Sequence, residues 1–134
     1  MFSGKRPSNL GVKEGKLATC PNTPNCVSSQ TSDKTHQIDP LRYNSTPTEA
    51  IANLKAVIES LNRTRIISET QNYLYVEFTS ALMRFVDDVE FYLDESANVI
   101  HVRSASRLGR SDLGVNRKRI ETIRAKFEAL NSKS

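Results

Sequence analysis

The sequence predicts a small α+β domain: a four-stranded antiparallel meander covered on one face by two helices and preceded by a long irregular N-terminal arm. Three observations carry that expectation. A capped amphipathic stretch begins at Thr46, alternating apolar and polar residues run from about Arg65 to Ala105, and a second amphipathic stretch follows Asn116. At 134 residues the chain has the size of one domain around one core, and 37% hydrophobic with 25% charged residues is ordinary globular composition.

Residues 1–38 hold prolines, glycines and Ser/Thr/Asn clusters without periodicity, so they read as an extended arm, with the domain proper at 39–134. An irregular segment of that length is a place to look for function. At Thr46-Pro47-Thr48-Glu49 the Thr46 side chain can accept from the Glu49 N–H, the Glu49 side chain can reach back, and Pro47 suits the first helical position. Behind this capping box Ile51, Leu54, Ile58 and Leu61 form one apolar stripe, which predicts a helix over 47–62.

From Arg65 the period shortens to two. Ile66 and Ile67 open a strand that turns near Gln71 and Asn72; Leu74, Val76 and Phe78 then point inward, with Tyr73, Tyr75 and Glu77 outward on a wet face. A third strand turns Val89, Phe91 and Leu93 inward and Asp88, Glu90, Tyr92 and Asp94 outward. After a turn at 94–98, a fourth runs from Val99 to Ala105 with Ile100 and Val102 inside and His101 outside. The last helix is expected to start with Asn116 as its cap, stapled by Val115 and Ile120, and to bury Ile120, Ile123, Phe127 and Leu130. Both helices should lie on the apolar side of the meander.

The net charge of +4 is unevenly spread, with an acidic stretch at 87–95 and a basic end from Arg103 onward. Within residues 103–119, Arg103, Arg107, Arg110, Arg117 and Arg119 alternate with Ser104, Ser106, Ser111, Asp112, Asn116 and two glycines. Guanidinium forks and hydroxyls suit carboxylate or phosphate oxygens, and a helix N-terminus adds partial positive charge. The ligand set expected here is Arg103, Ser104, Ser106, Arg107, Arg110, Asp112, Asn116, Arg117 and Arg119, for an anionic small molecule or an acidic protein surface. The blander reading pairs Asp112 with a neighbouring arginine and leaves Asn116 as a cap. Tyr73, Tyr75 and Tyr92 could stack bases, but Glu77, Glu90 and Asp94 share their face and repel phosphate, so nucleic acid is not an expected partner.

A second segment, CPNTPNCVSSQ at 20–30, offers Cys26, Ser28 and Ser29 as nucleophiles, with His36 and Asp39 as base and orienting acid on paper. No GxSxG elbow accompanies them. A disulfide between Cys20 and Cys26 is sterically allowed, but in a reducing compartment free thiols are the expectation. Their spacing is not that of a zinc or redox motif, so no metal and no cofactor are expected. Asp87 and Asp88 could pair as acid and base; a charge cluster meeting the basic segment is the simpler reading. No apolar run approaches the ~20 residues of a membrane span, and MFSGKRPSNLG lacks a secretory apolar stretch, so a cytoplasmic protein without a transmembrane segment is expected.

Three motifs, NLGVKEGKLATCPNTPNCVSSQ, RFVDDVEF and VRSASRLGRSDLGVNRKRIE, resemble the signatures of domain-of-unknown-function family 1499 (DUF1499) from Asn9 to about Leu130. The resemblance implies relatives in bacteria, cyanobacteria among them, and in photosynthetic eukaryotes, some with an N-terminal membrane or targeting segment. It supplies no activity to carry over residue by residue. The expected function is therefore a binding module for an acidic ligand through the Arg-rich segment, the alternative being a hydrolase or transferase that uses the Cys26–Ser29 loop.

Overall fold

The computed structural model describes residues 4–81, 84–108 and 114–131. Its elements run β1 (Cys26–Ser28), β2 (Leu41–Arg42), α1 (Pro47–Glu59), β3 (Thr64–Thr70), β4 (Tyr73–Thr79), β5 (Val86–Asp94), β6 (Val99–Ser106) and α2 (Val115–Asn131). The class is α+β, as the alternation demanded, but the sheet has six strands, in the order β1-β6-β5-β4-β3 with β2 also on β6. All strand pairings are antiparallel.

The two additional strands correct the four-stranded expectation. Both are short and pair with the otherwise open edge of β6, β1 against Arg103–Ala105 and β2 against Val99 and Ile100. All three β1 positions are buried, so it shows no alternation, and two residues of β2 are too few to show any. Val27 and Ile38 join the same core as the helices, so β1 and the chain just before β2 pack with it.

Thr46 caps α1 by accepting from the Glu49 N–H at 3.1 Å, and Pro47 occupies the first turn. The helix ends at Glu59, short of the expected 62: Ser60 folds its N–H and hydroxyl onto the last carbonyls, and Arg63 at φ 58 turns the chain into β3. A bulge between Ile66 and Ser68 explains why two isoleucines adjoin in that strand. Asn98, at φ 54, takes the left-handed position in the turn between β5 and β6.

The helices cover one face of the sheet. Leu54 and Ile58 of α1 and Ile120, Ile123 and Phe127 of α2 pack with Leu74, Val76, Val89, Phe91, Ile100 and Val102 in one core. On the other face the alternation is as expected, but the face is not wet. Asp88, Tyr75, Glu90 and Arg103 are only 2%, 3%, 0% and 5% exposed. The arm crosses them: Arg6 bonds Glu77, Gly11 bonds Glu90 and Thr19 bonds Arg103. Gly4 makes the close approach possible, with φ +76 and an added Cβ only 2.9 Å from Arg107 Cβ. The sheet therefore lies between an apolar helix layer and a polar arm layer.

Candidate functional site

Neighbouring residues on a strand face opposite sides, so the Asp87-Asp88 pair of β5 is split between the two layers. It cannot act as one acid–base dyad. Each carboxylate meets an arginine of the basic segment instead.

On the arm side, Arg107 Nε donates to Asp88 Oδ2 at 2.9 Å, while Nη2 reaches Asp88 Oδ1 at 2.8 Å and Glu77 Oε2 at 2.6 Å. The Tyr75 hydroxyl donates to Asp88, and Arg6 places two further N–H groups on Glu77 at 3.0 and 2.8 Å. Hydrogen bonds donated to Asp88, followed by those to Glu77, hold the Arg107 guanidinium charged despite its burial. Burial pushes the Glu77 carboxyl up, but Arg6 and Arg107 together outweigh it and leave Glu77 below its ordinary range. Tyr75 is pushed up by burial and by its bond to the Asp88 carboxylate, so its phenol stays protonated.

Beside this cluster, Glu90 accepts from Tyr73 Oη at 2.6 Å and from Gly11 N at 2.7 Å, both through Oε2. Arg103 Nη1 lies 4.0 Å from Glu90 Oε1, too far for a hydrogen bond, and Nη2 donates to the Thr19 carbonyl. Glu90 Oε1 and Arg103 Nε are left buried without a partner. Desolvation, only partly offset by Glu90, lowers the Arg103 pKa from the usual guanidinium value.

On the helix side, Arg119 Nη2 pairs with Asp87 at 2.8 Å, Nη1 donates to Asn116 Oδ1 at 2.8 Å, and the guanidinium lies over the Phe78 ring at 4.8 Å. Asn116 is not the cap expected from sequence. α2 already starts at Val115, and the Asn116 side chain is buried, accepting from Ser104 Oγ and donating to Ser106 Oγ and the Asn25 carbonyl. It ties the helix to β6 and the β1 loop, a role with no local sequence signal. Arg117 donates to the Gln37 and Thr35 carbonyls.

The structure thus divides the Arg-rich set. Arg103 and Arg107 are on the arm side, Arg119 with Ser104, Ser106 and Asn116 is on the helix side, and Arg117 points to the Thr35–Gln37 backbone. Arg110 and Asp112, like Ser111, lie outside the described residues. A groove of about 340 Å³ flanks the start of α2, lined by Arg63, Lys118 and Arg119 around Leu61, Phe78 and Val115. Arg63 and Lys118 were not foreseen, because only the fold brings the α1–β3 turn beside α2.

The nucleophile candidates are also separated. Cys26 is bonded to Cys20 rather than free, which corrects the expectation of thiols and leaves no Cys26 thiolate in this form. Ser28 is buried, its hydroxyl accepting from the Gln30 N–H. His36 spends both ring nitrogens on Asp33 at 2.6 Å and the Thr23 carbonyl at 2.9 Å. The Thr23 bond, against burial and with help from Asp33, raises its pKa. Ser29 instead meets a histidine that sequence proximity did not suggest: its Oγ lies 3.1 Å from His101 Nδ1, and His101 Nε2 faces Asp94 at 3.7 Å. Burial, only partly offset by Asp94, lowers the His101 pKa and so favours the uncharged ring. Among the described residues no three His, Cys, Asp or Glu side chains converge to hold a metal ion, and no helix is long and apolar enough to cross a membrane.

The class these features define is an α+β domain whose sheet is apolar on its helix-covered face and carries an internally paired charge network on the face the arm covers. Residues 16–127 match the family described as protein of unknown function (DUF1499), and the chain belongs to it. No curated protein matches the chain.

Proposed function

We propose that this protein is a non-enzymatic binding module for an acidic ligand, taken in the groove beside the start of α2. The observation that carries the reading is the lining itself: three cations, Arg63, Lys118 and Arg119, around an apolar floor of Leu61, Phe78 and Val115. Lys118 and Arg63 are exposed, while Asp87, Asn116 and the Phe78 ring orient Arg119. A pre-oriented guanidinium loses less freedom when a carboxylate or phosphate docks. Arg103 and Arg107 drop out of this ligand set, since they lie on the arm side of the sheet and do not line the groove, whereas Arg119 lines it although Asp87 already pairs with it.

The test is thermal stabilisation by benzoate and by inorganic phosphate, compared between wild type and the Arg63→Ala/Lys118→Ala double variant. We expect the double variant to lose most of the wild-type shift. Equal shifts in the two proteins would remove the groove from the reading.

A second reading, nucleophilic catalysis at Ser29, is favoured by the Ser29–His101–Asp94 alignment. The same Ser29 hydroxyl accepts from Val102 N at 2.8 Å, which equally serves to close the β6 edge where β1 ends. A fluorophosphonate probe separates the two roles. An adduct on Ser29 that is lost in His101→Asn supports the nucleophile, and an unlabelled Ser29 eliminates it.

A further inference from the structure

The arm is an unusual cover. It lies over the charged face of the sheet, yet among its described residues before Cys20 only Leu17 is a buried apolar side chain. Pro7, Leu10, Val12 and Ala18 are partly buried, and the rest of its hold includes the Arg6 side chain on Glu77, the Gly11 N–H on Glu90, the Thr19 carbonyl on Arg103, the Gly4 carbonyl on Arg107 and Gln30 Oε1 on the Leu17 N–H. Each of these bonds exchanges a bond to water for a bond to protein; those to a charged side chain contribute more than a neutral bond would, yet far less than the gross strength of the contact.

Closure also has an opposing cost. Glu90 Oε1 and Arg103 Nε are sealed without partners, and water would satisfy both if the arm lifted. What sets the balance is at the root of the arm. Cys20, the next residue after Thr19, is joined to Cys26 at the start of β1, and β1 is fixed to β6 through Cys26–Ala105, Val27–Ser104 and Ser28–Arg103. The bond therefore anchors the arm beside the strand that carries Arg103. Between the two cysteines lies the Pro21–Asn25 loop, tied down at Thr23 by His36 and at Asn25 by Ser106 and Asn116, so the sulfur bond is what carries that anchorage on to Cys20 and the arm before it.

We infer that the Cys20–Cys26 disulfide is a latch that keeps the arm closed over Glu90 and Arg103, so that a dithiol reductant of the protein-disulfide-reducing class uncovers this charged face without unfolding the domain. Cys26 is fully buried and Cys20 only partly, so the reductant's thiolate attacks Cys20 Sγ. The sulfur–sulfur bond breaks with its electron pair on Cys26 Sγ. The reductant's second thiol then displaces Cys20 from the mixed disulfide; both cysteines take up protons, and the reductant leaves oxidised to a disulfide. The chain has two cysteines, so no other thiol of its own competes. The helix layer, with its separate core, should persist, because the bond closes a loop with a sequence separation of only 6.

Amide hydrogen exchange on the full chain, oxidised and then reduced with dithiothreitol, tests this. Gly11 N–H, bonded to Glu90, and Leu17 N–H, bonded to Gln30, report the arm; Val89 and Phe91 report the sheet. We expect roughly tenfold or greater acceleration at Gly11 and Leu17 on reduction with the sheet amides unchanged. The Cys20→Ser/Cys26→Ser variant should exchange like the reduced protein whether or not reductant is present. Unchanged protection at Gly11 would overturn the latch. Acceleration at Val89 and Phe91 to the same extent would also overturn it, by making the bond a staple for the whole fold.

Discussion

The two faces of one sheet solve the same problem in opposite ways. On the helix side, apolar residues from every second strand position meet Leu54, Ile58, Ile120, Ile123 and Phe127, and burial itself is the driving force. On the arm side, the intervening positions bury Tyr75, Asp88, Glu90 and Arg103, and here burial is a cost that only mutual pairing offsets. An apolar layer tolerates small shifts because its forces are non-directional. A network of forked guanidinium bonds fails when one member is removed, because the remaining charges stay buried. The polar layer is thus the more brittle of the two, although it holds more bonds.

The largest expected effect tests that brittleness directly. Arg107→Ala strands the Asp88 carboxylate, 2% exposed, and leaves Glu77 with Arg6 alone, so urea unfolding should show a loss of about 3–5 kcal/mol. In the double variant Arg107→Met/Asp88→Leu most of that loss should return, since the isolated charge is gone and the volume is filled. A double variant no more stable than Arg107→Ala would mean that the network stabilises by more than avoiding an orphaned charge.

Acid should act on the same side. Glu77 is held below its ordinary value of 4.5, so its folded form binds protons less readily than the unfolded chain does. Its contribution is present above that value and disappears as pH falls through the lower, folded pKa. Glu77→Gln should flatten the acid limb of the stability–pH curve in this window, whereas substitutions in the helix layer should shift the curve vertically and leave its slope alone. An acid limb unchanged by Glu77→Gln would assign acid sensitivity to other carboxylates.

Much of this contrast was legible before the structure. Periods of two and of three to four residues located both helices and the four long strands, and alternation correctly put Glu77, Asp88 and Glu90 on the face opposite Val76, Val89 and Phe91. What alternation cannot tell is what covers a face. The arm has no period of its own and is held by backbone groups such as Gly11 N–H and Thr19 C=O, which every residue type carries. Hence Tyr75, expected in water, is buried, and arginines expected to await a ligand are engaged. The basic groove escaped for a related reason: Arg63 and Lys118 are 55 residues apart in sequence and meet only across the α1–β3 turn and α2.

The smallest expected effect asks whether the two layers are independent. Thr46 Oγ1 accepts from the Glu49 N–H at the start of α1, one of the orphan donors of that helix end, and no arm residue takes part. Thr46→Ala should cost about 1 kcal/mol in global unfolding, and Thr46→Ser should recover most of it, since the capping oxygen is kept. If the helix layer and the arm layer are separate cooperative units, the Gly11 amide, which opens with the arm, should exchange at the wild-type rate in Thr46→Ala. A matching acceleration at Gly11 would mean that the arm opens only when the whole sheet does, and the division between a robust apolar face and a separately releasable charged face would have to be abandoned.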